Sequence, residues 1–251
     1  MQARDDTCGA VTPGFCAKIP DKIYIMVKPR KTTTPADVPS DPVRRIGASR
    51  SRRASAPVES DAAPLNLAGH FLIAMPLMLD PVFGGSVVYL CEHNADGALG
   101  VIINKPTDMT MDTLFERIDL QLEIAANGVA IDKQPVMFGG PVQVERGFVL
   151  HAPTGPFSSM IKVNDEIALT TSKDVLEAVA SGAGPERILV SLGCAGWSAG
   201  QLEGEIARNG WLTVAAERSI IFDTPIEERF VAALKLLGVD PMMLSGEAGH
   251  A

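Results

Sequence analysis

Long apolar runs are missing from this sequence of 251 residues. No stretch approaches the roughly 18–20 consecutive apolar residues that span a bilayer, so the sequence predicts no membrane span. The start of the chain lacks a secretory pattern, because its longest apolar run, I-Y-I-M-V at residues 23–27, is shorter than the ~7 residues of a signal-peptide core. We therefore expect a cytoplasmic protein.

Cysteine is scarce, and its spacing excludes the usual metal-binding patterns. The four cysteines form neither a C-x-x-C pair nor a zinc-ligand spacing, and they are Cys8, Cys16, Cys91 and Cys194. The last two end apolar runs, so we expect buried, reduced thiols. Walker and dinucleotide-binding glycine spacings are also absent. The sequence therefore predicts no metal site and no cofactor.

Basic charge is lacking from most of the chain. Lys and Arg number 22 against 30 Asp and Glu, and half of the basic residues lie in residues 1–64. The rest of the chain is strongly acidic, whereas binding to phosphates needs a basic face. We therefore expect no direct nucleic-acid binding by residues 65–251, whose partner would be a small molecule or a protein.

Residues 1–64 are predicted to be a disordered, basic leader. Residues 28–64 are rich in Pro, Ser, Thr, Ala and Arg and show no lasting hydrophobic period. Five arginines and no acid occur in R-R-I-G-A-S-R-S-R-R at residues 44–53. The leader is interpreted as a solvated tail or as the product of a start codon chosen too far upstream. The alternative is an electrostatic tether for RNA, DNA or an anionic membrane.

The remaining residues, 65–251, are predicted to form one domain. β-Branched and aromatic runs predict strands, and capped runs of helical period predict helices. The predicted strands cover residues 71–74, 86–92, 98–104, 136–138, 147–151, 166–171, 187–192, 211–215 and 220–222, with a hairpin between the second and the third. The predicted helices cover residues 110–117, 172–180, 201–208 and 225–237. Interleaved hairpins and helices favour a mixed α/β fold over strict β-α-β winding.

The motif G-W-S-A-G at residues 196–200 resembles the nucleophile elbow of a serine hydrolase, which places its serine between a strand and a helix. The only histidine that follows Ser198 is His250, the penultimate residue of the sequence, and chain ends tend to fray. No H-G-G-G segment precedes Ser198. We therefore interpret Ser198 as half of a capping box with Gln201. In that box the serine oxygen accepts from the Gln201 backbone N–H, and the glutamine side chain reaches back.

Other polar residues give weak signals. His70, His93 and His151 lie at strand ends without a partner at metal-ligand spacing, so we interpret them as satisfied core or rim histidines. Cys91 and His93 are expected to share one side of their strand. Glu203 and Glu205 are expected to point to different faces of a helix, in contact with solvent.

Nine segments in order resemble the AlgH/YqgE family of bacterial proteins. They are H-F-L-I-A-M-P (70–76), V-V-Y-L-C-E-H-N (87–94), D-G-A-L-G-V-I-I-N-K-P (96–106), G-G-P-V (139–142), R-G-F-V-L-H (146–151), T-T-S-K-D-V-L-E (170–177), G-W-S-A-G-Q-L-E-G-E-I (196–206), N-G-W-L (209–212) and G-H-A (249–251). The resemblance begins near Leu65. In the family the position of Ser198 need not be serine, which weakens the hydrolase hypothesis.

The resemblance implies an α+β (mixed α/β) domain whose bifurcated, largely antiparallel sheet curls into a pseudo-barrel with helices packed outside. Family members are often labelled transcriptional regulators, without an established activity. The leading hypothesis is a non-catalytic regulatory domain that binds a ligand or partner in a cleft near Glu92 and Gln201. The alternative is a hydrolase or transferase that uses Ser198 or the Glu92/His93 region. The candidate pocket residues are Glu92, His93, Asn104, Lys105, Gly139, Gly140, His151, Trp197, Gln201, Glu203 and Trp211. Their alternative role is to satisfy buried backbone groups.

Overall fold

A computed structural model describes residues 66–76, 78–121 and 131–239 of the chain. Within these ranges the strands are β1 (His70–Ala74), β2 (Val87–Asn94), β3 (Gly97–Ile102), β4 (Pro106–Thr110), β5 (Pro135–Phe138), β6 (Val142–Ala152), β7 (Met160–Lys162), β8 (Ala168–Thr170), β9 (Arg187–Ser198) and β10 (Trp211–Ala215). The helices are α1 (Met111–Arg117), α2 (Asp174–Ala180), α3 (Gln201–Ala207), α4 (Arg218–Phe222) and α5 (Arg229–Leu236), with 3-10 turns at Ile131–Lys133 and Ile226–Glu228. The predicted leader, with its arginine cluster, lies outside the described residues.

The strands form one sheet in the order β10-β1-β2-β3-β9-β6-β8-β7, and β4 joins it through β5. Every pairing among the described strands is antiparallel except the parallel pair of β5 with β9. Strand β2 and strand β3 form the predicted hairpin.

The sheet divides at β9, which is 12 residues long. Its last four residues, from Ala195 to Ser198, pair with β3, whereas Ser191 and Leu192 pair with β5 on the same edge. Between these two parts Gly193 adopts a φ of 74°, which bends the strand. The sheet therefore curls into a half-barrel, and the predicted mixed α/β fold with a bifurcated, largely antiparallel sheet is confirmed.

Apolar side chains are buried on both faces of the sheet, in three clusters. Helices α4 and α5 cover the cluster that contains Phe71 and Tyr89. Helices α1 and α2 cover a second cluster around Val149, and α3 covers the third, which contains Leu72 and Trp197. Strands with both faces covered have nearly continuous apolar runs, as β1 to β3 do here.

All four predicted helices are present, but only α1 and α3 begin within one residue of the predicted start, whereas α2 begins at Asp174 and α5 at Arg229. The sequence offers Thr110 or Asp112 as the cap of α1, and the structure selects Thr110, whose side chain accepts a hydrogen bond from the Thr113 backbone N–H at 3.4 Å.

The run S-K-D-V-L-E-A-V-A at residues 172–180 predicts Ser172 as the cap of α2, and this prediction is wrong, because Lys173 precedes the helix and no side-chain hydrogen bond caps it. Ser172 donates to Asp174 at 2.5 Å, and the Asp174 carboxylate accepts the backbone N–H of Val175 inside the first turn.

One predicted strand is wrong, and two observed strands were not predicted. Residues 220–222 were expected to form a strand but lie in α4, where Ile220 and Ile221 are both buried in the cluster beneath α5. That packing overrides the β-propensity of the run, because β-propensity depends strongly on the surroundings. Strand β4, which begins at Pro106, was not predicted. The short strand β7 gave no sequence signal. A proline is tolerated at the first position of a strand, where its missing N–H has no ladder partner.

Candidate functional site

The carboxylate of Glu205 in α3 connects three elements of the fold. Its Oε2 atom accepts hydrogen bonds from the indole N–H of Trp197, at the end of β9, at 2.9 Å and from that of Trp211, at the start of β10, at 2.8 Å. Its Oε1 atom accepts from the Gln201 side-chain amide at 3.0 Å. Both indoles are almost fully buried. The sequence interpretation of Glu205 as a solvated helix residue is therefore wrong.

The two indole rings and Phe83 form an aromatic group next to this carboxylate. The Trp197 and Trp211 centroids are 6.0 Å apart with planes at 81°, an edge-to-face arrangement. The Phe83 centroid lies 5.5 Å from that of Trp211. We call the set of Phe83, Trp197, Gln201, Glu205 and Trp211 the tryptophan–glutamate network.

Ser198 is bound to this network rather than to a base. Its hydroxyl donates to Gln201 Oε1 at 3.0 Å, and its backbone N–H donates to the same oxygen at 3.1 Å. The glutamine therefore reaches back as predicted, but the serine oxygen does not accept from the Gln201 backbone N–H. The reason is that Gly200, with a φ of 73°, is the residue that precedes α3, and Ser198 is the last residue of β9.

His93 lies beneath α3 with both ring nitrogens bound. Its Nδ1 accepts the Leu67 backbone N–H at 3.0 Å, so the proton of the neutral ring is on Nε2. Nε2 donates to Glu203 Oε1 at 3.0 Å, and the Glu203 side chain is 44% exposed against 1% for His93. The buried imidazole thus fixes an exposed carboxylate on the surface of α3.

A β-bulge in β2 separates residues that were expected to lie together. The register shifts between Leu90 and Glu92, so that Glu92 pairs with Leu99 and His93 pairs with Ala98. Cys91 and Leu99 belong to one buried cluster and Ala98 to the cluster beneath α3. The expectation that Cys91 and His93 share one side is therefore wrong, and Glu92 lies on the sheet face away from Gln201.

Asn104 and Lys105 hold the loop that carries Phe83. The Asn104 side chain accepts the Val87 backbone N–H at 2.8 Å and donates to Gly85 O at 2.9 Å. The Lys105 ammonium donates to Val82 O at 2.6 Å, and burial lowers the pKa of this group. These two predicted site residues therefore support the tryptophan–glutamate network indirectly, through the loop.

Gly139 and Gly140 form a tight corner against β9, as expected for a close backbone approach. The Gly139 N–H donates to Leu192 O at 2.8 Å, and its carbonyl accepts the Ile102 N–H at 2.9 Å. A Cβ atom on Gly140 would collide with the backbone of Cys194 and Ala195. This corner has a packing role, and it contacts β9 rather than the surface of α3.

His151 is fully buried and lies apart from the other candidates, against Phe157, with ring centroids 5.1 Å apart. Its Nδ1 donates to Pro153 O at 3.1 Å, so its Nε2 accepts the Thr170 hydroxyl at 2.8 Å. Both nitrogens are therefore satisfied in the neutral ring, and the interpretation of His151 as a core histidine agrees with this geometry.

Acid is expected to destabilise the fold through His151. Burial lowers the pKa of this imidazole below its ordinary value of about 6.5, with partial opposition from the Pro153 carbonyl and from Asp174. The unfolded chain takes up the proton first, so the free energy of unfolding falls as pH drops from about 6.5 towards the lower pKa of the folded state. Urea unfolding of the wild type and of His151→Gln, measured from about pH 7.5 to 5, should show a shallower pH dependence in the variant. Equal slopes in the wild type and in His151→Gln would contradict this assignment.

The described thiols are not poised for reaction. Cys91 and Cys194 are buried thiols, in agreement with the sequence prediction. Burial raises the pKa of the Cys91 thiol, with a smaller contribution from Glu92 in the same direction. Among residues 66–76, 78–121 and 131–239, no group of three or more His, Cys, Asp or Glu side chains is arranged to hold a metal ion.

The fold and the α3 contacts define a class of mixed α/β domain, in which a helix carboxylate joins the indoles of two sheet strands. The family model described as AlgH-like matches residues 71–242. The chain belongs to the AlgH-like family, as the motif resemblance predicted.

Relatives and solved structures agree with this assignment. A UPF0301 protein from Ralstonia nicotianae is 62% identical over 192 residues, which is 76% of this chain and 99% of that protein. Another, from Cupriavidus metallidurans, is 63% identical over 189 residues, 75% of this chain and 97% of the relative. The solution structure of AlgH from Pseudomonas aeruginosa has 47% identity and a TM-score of 0.59, over 76% of this chain and all of that one. Within the described part of the chain, no helix is both long and apolar enough to cross a membrane.

Proposed function

We propose that this chain is a cytoplasmic, non-catalytic binding domain with a regulatory role. Its recognition surface is the exposed side of α3 and the end of β9, centred on Ser198 and Glu203. Both side chains are exposed, and each is hydrogen-bonded to a less exposed neighbour, Ser198 to Gln201 and Glu203 to His93. Pre-organised side chains lose little conformational freedom on binding, which favours recognition.

The chemistry of this surface favours a partner with hydrogen-bond donors or a cationic group. Glu203 offers a carboxylate whose second oxygen is free of the His93 contact. The Glu205 carboxylate is already bound by two indoles and an amide, so it supports the surface and does not present a site of its own. A small molecule and a protein segment both meet this description.

The binding proposal is tested by an NMR screen of amine- and guanidine-bearing fragments and short basic peptides against the ¹⁵N-labelled full chain. Saturable shifts at Ser198 and Glu203 are expected, weakened about tenfold in Glu203→Ala because a charged hydrogen bond is lost. Glu92→Ala is the control, since Glu92 is acidic but lies on the other face of the sheet. The absence of any saturable binder, or an equal loss in the control, would contradict the proposal.

The hydrolase alternative makes a separate prediction for Ser198. Its hydroxyl donates to Gln201. The buried histidines His93 and His151 are hydrogen-bonded to Glu203 and Thr170, not to Ser198. Without a base the serine stays a weak nucleophile. A fluorophosphonate probe is therefore expected to leave the protein unlabelled. Labelling that disappears in Ser198→Ala would restore the hydrolase hypothesis.

A further inference from the structure

A cavity of about 830 Å³ lies between the β5–β9 strand pair and the segment that joins α4 to α5. Its apolar lining includes Met111, Met137, Val190, Phe222 and Ile226. This volume is within the range of about 300–1,000 Å³ that is typical of small-molecule sites. None of the residues singled out by the sequence motifs lines it.

Arg229, the first residue of α5, contributes a buried positive charge to this cavity. The residue is 7% exposed. Its Nε donates to Thr224 O at 3.0 Å, and Nη1 donates to Ile103 O. Burial lowers the pKa of the guanidinium to about 10, so it remains charged at neutral pH. The two carbonyls fix its orientation but do not neutralise it.

The guanidinium has no ion-pair partner within the part of the chain that the structure describes. Asp223, which also lines the cavity, is paired with Arg187 at 2.8 Å. Glu227 favours the charged form of Arg229 from outside salt-bridge distance. Buried charges in proteins are normally paired, which makes this guanidinium a candidate anion-binding group.

The nearby acids decide what kind of anion fits. Glu186 and Asp223 both line the cavity, and Glu227 lies close to Arg229. Arg187 also lines the cavity, but its guanidinium is paired with Asp223, so Arg229 is left as the one unpaired guanidinium of the lining. A dianion such as a phosphate monoester would therefore meet repulsion from Glu186 and Glu227 with only that group to offset it. A single negative charge suits one guanidinium, and the apolar walls suit a hydrocarbon chain.

We propose that this cavity binds a monocarboxylate with an apolar chain, whose carboxylate is held by Arg229 and whose chain lies against Met137, Phe222 and Ile226, which belong to the same apolar cluster beneath α4 and α5. The site goes beyond the function proposed above, because no residue of the α3 surface takes part. The full chain can therefore fail one test and pass the other.

Sodium octanoate is the probe, titrated into ¹⁵N-labelled full chain, with 1-octanol and octylamine as matched compounds of equal chain length. Saturable shifts are expected at Met137, Phe222 and Ile226, with octanoate bound at least about tenfold more tightly than either matched compound. Arg229→Gln is expected to remove that preference for the carboxylate. Because this buried variant can fail to fold, Ile226→Asp provides a second test: an acid placed in the wall should weaken octanoate and not octylamine.

Three results would overturn the proposal. One is the absence of saturable shifts with octanoate, and another is equal affinity for octanoate and 1-octanol. The third is a set of nuclear Overhauser contacts, in the ligand-free protein, from another segment of this same chain to Met137 and Phe222. That contact pattern would show that the chain fills its own cavity.

Discussion

Replacing Gly193 by alanine is expected to lower the free energy of unfolding by about 3–4 kcal/mol. Gly193 has a φ of 74° at the bend where β9 changes partners, and an L-residue is strained in that region. The absence of a Cβ atom at Gly193 also leaves space for the backbone of the neighbouring segment that contains Gly140 and Val142. An added Cβ would collide with Gly140 O and lie 3.1 Å from Val142 O. Neither carbonyl can rotate away as a side chain would.

The Gly193 prediction has a matched control in Gly182→Ala. Gly182 has a φ of 77°, almost the same backbone strain, but its Cβ would meet nothing within 4 Å. We expect this variant to lose only about 1–2 kcal/mol, the conformational part of the effect. Urea unfolding curves of both variants give the difference directly. Equal losses would show that the close approach of Gly140 to β9 does not require glycine.

The sequence predicts this fold best where a signal is local. The β2–β3 hairpin follows from two β-branched runs around Asn94 and Gly97, and α1 follows from its threonine cap. The family motifs extend these local signals to a whole sheet. The wrong strand at residues 220–222 has a local signal too, but packing beneath α5 outweighs it.

The candidate site is predicted less well, because its contacts join residues that are distant in the sequence. The motif residues Trp197, Gln201 and Trp211 do come together, but their common partner Glu205 was placed in solvent. Nothing in its helix indicates that it faces two indoles, since Trp211 belongs to a different strand. The bulge in β2 likewise moves Glu92 to the other face, and a one-residue shift of this kind is invisible to an alternating pattern.

Removal of the Glu205 carboxylate is expected to have the second large effect. In Glu205→Ala the buried indole N–H groups of Trp197 and Trp211, which can only donate, lose their acceptor. Each unsatisfied buried donor costs about 1–3 kcal/mol, so the free energy of unfolding should fall by about 3 kcal/mol. Glu177→Ala is the control, because this glutamate of α2 has a side chain that is 54% exposed and pairs only with Lys173 at 4.0 Å. Its loss should stay below about 0.5 kcal/mol.

The spectroscopic test of the same variant is unusually direct, because the two tryptophans of the network are the only ones in the chain. Loss of the carboxylate changes the polar contact of both indoles while Phe83 and the sheet still bury their rings. The folded Glu205→Ala protein should therefore show a changed intrinsic fluorescence, and Glu177→Ala should not. Glu205→Gln keeps one acceptor oxygen and should recover part of the lost stability. An unchanged spectrum together with wild-type stability in Glu205→Ala would mean that α3 is held to the sheet by its apolar face alone, through Leu202.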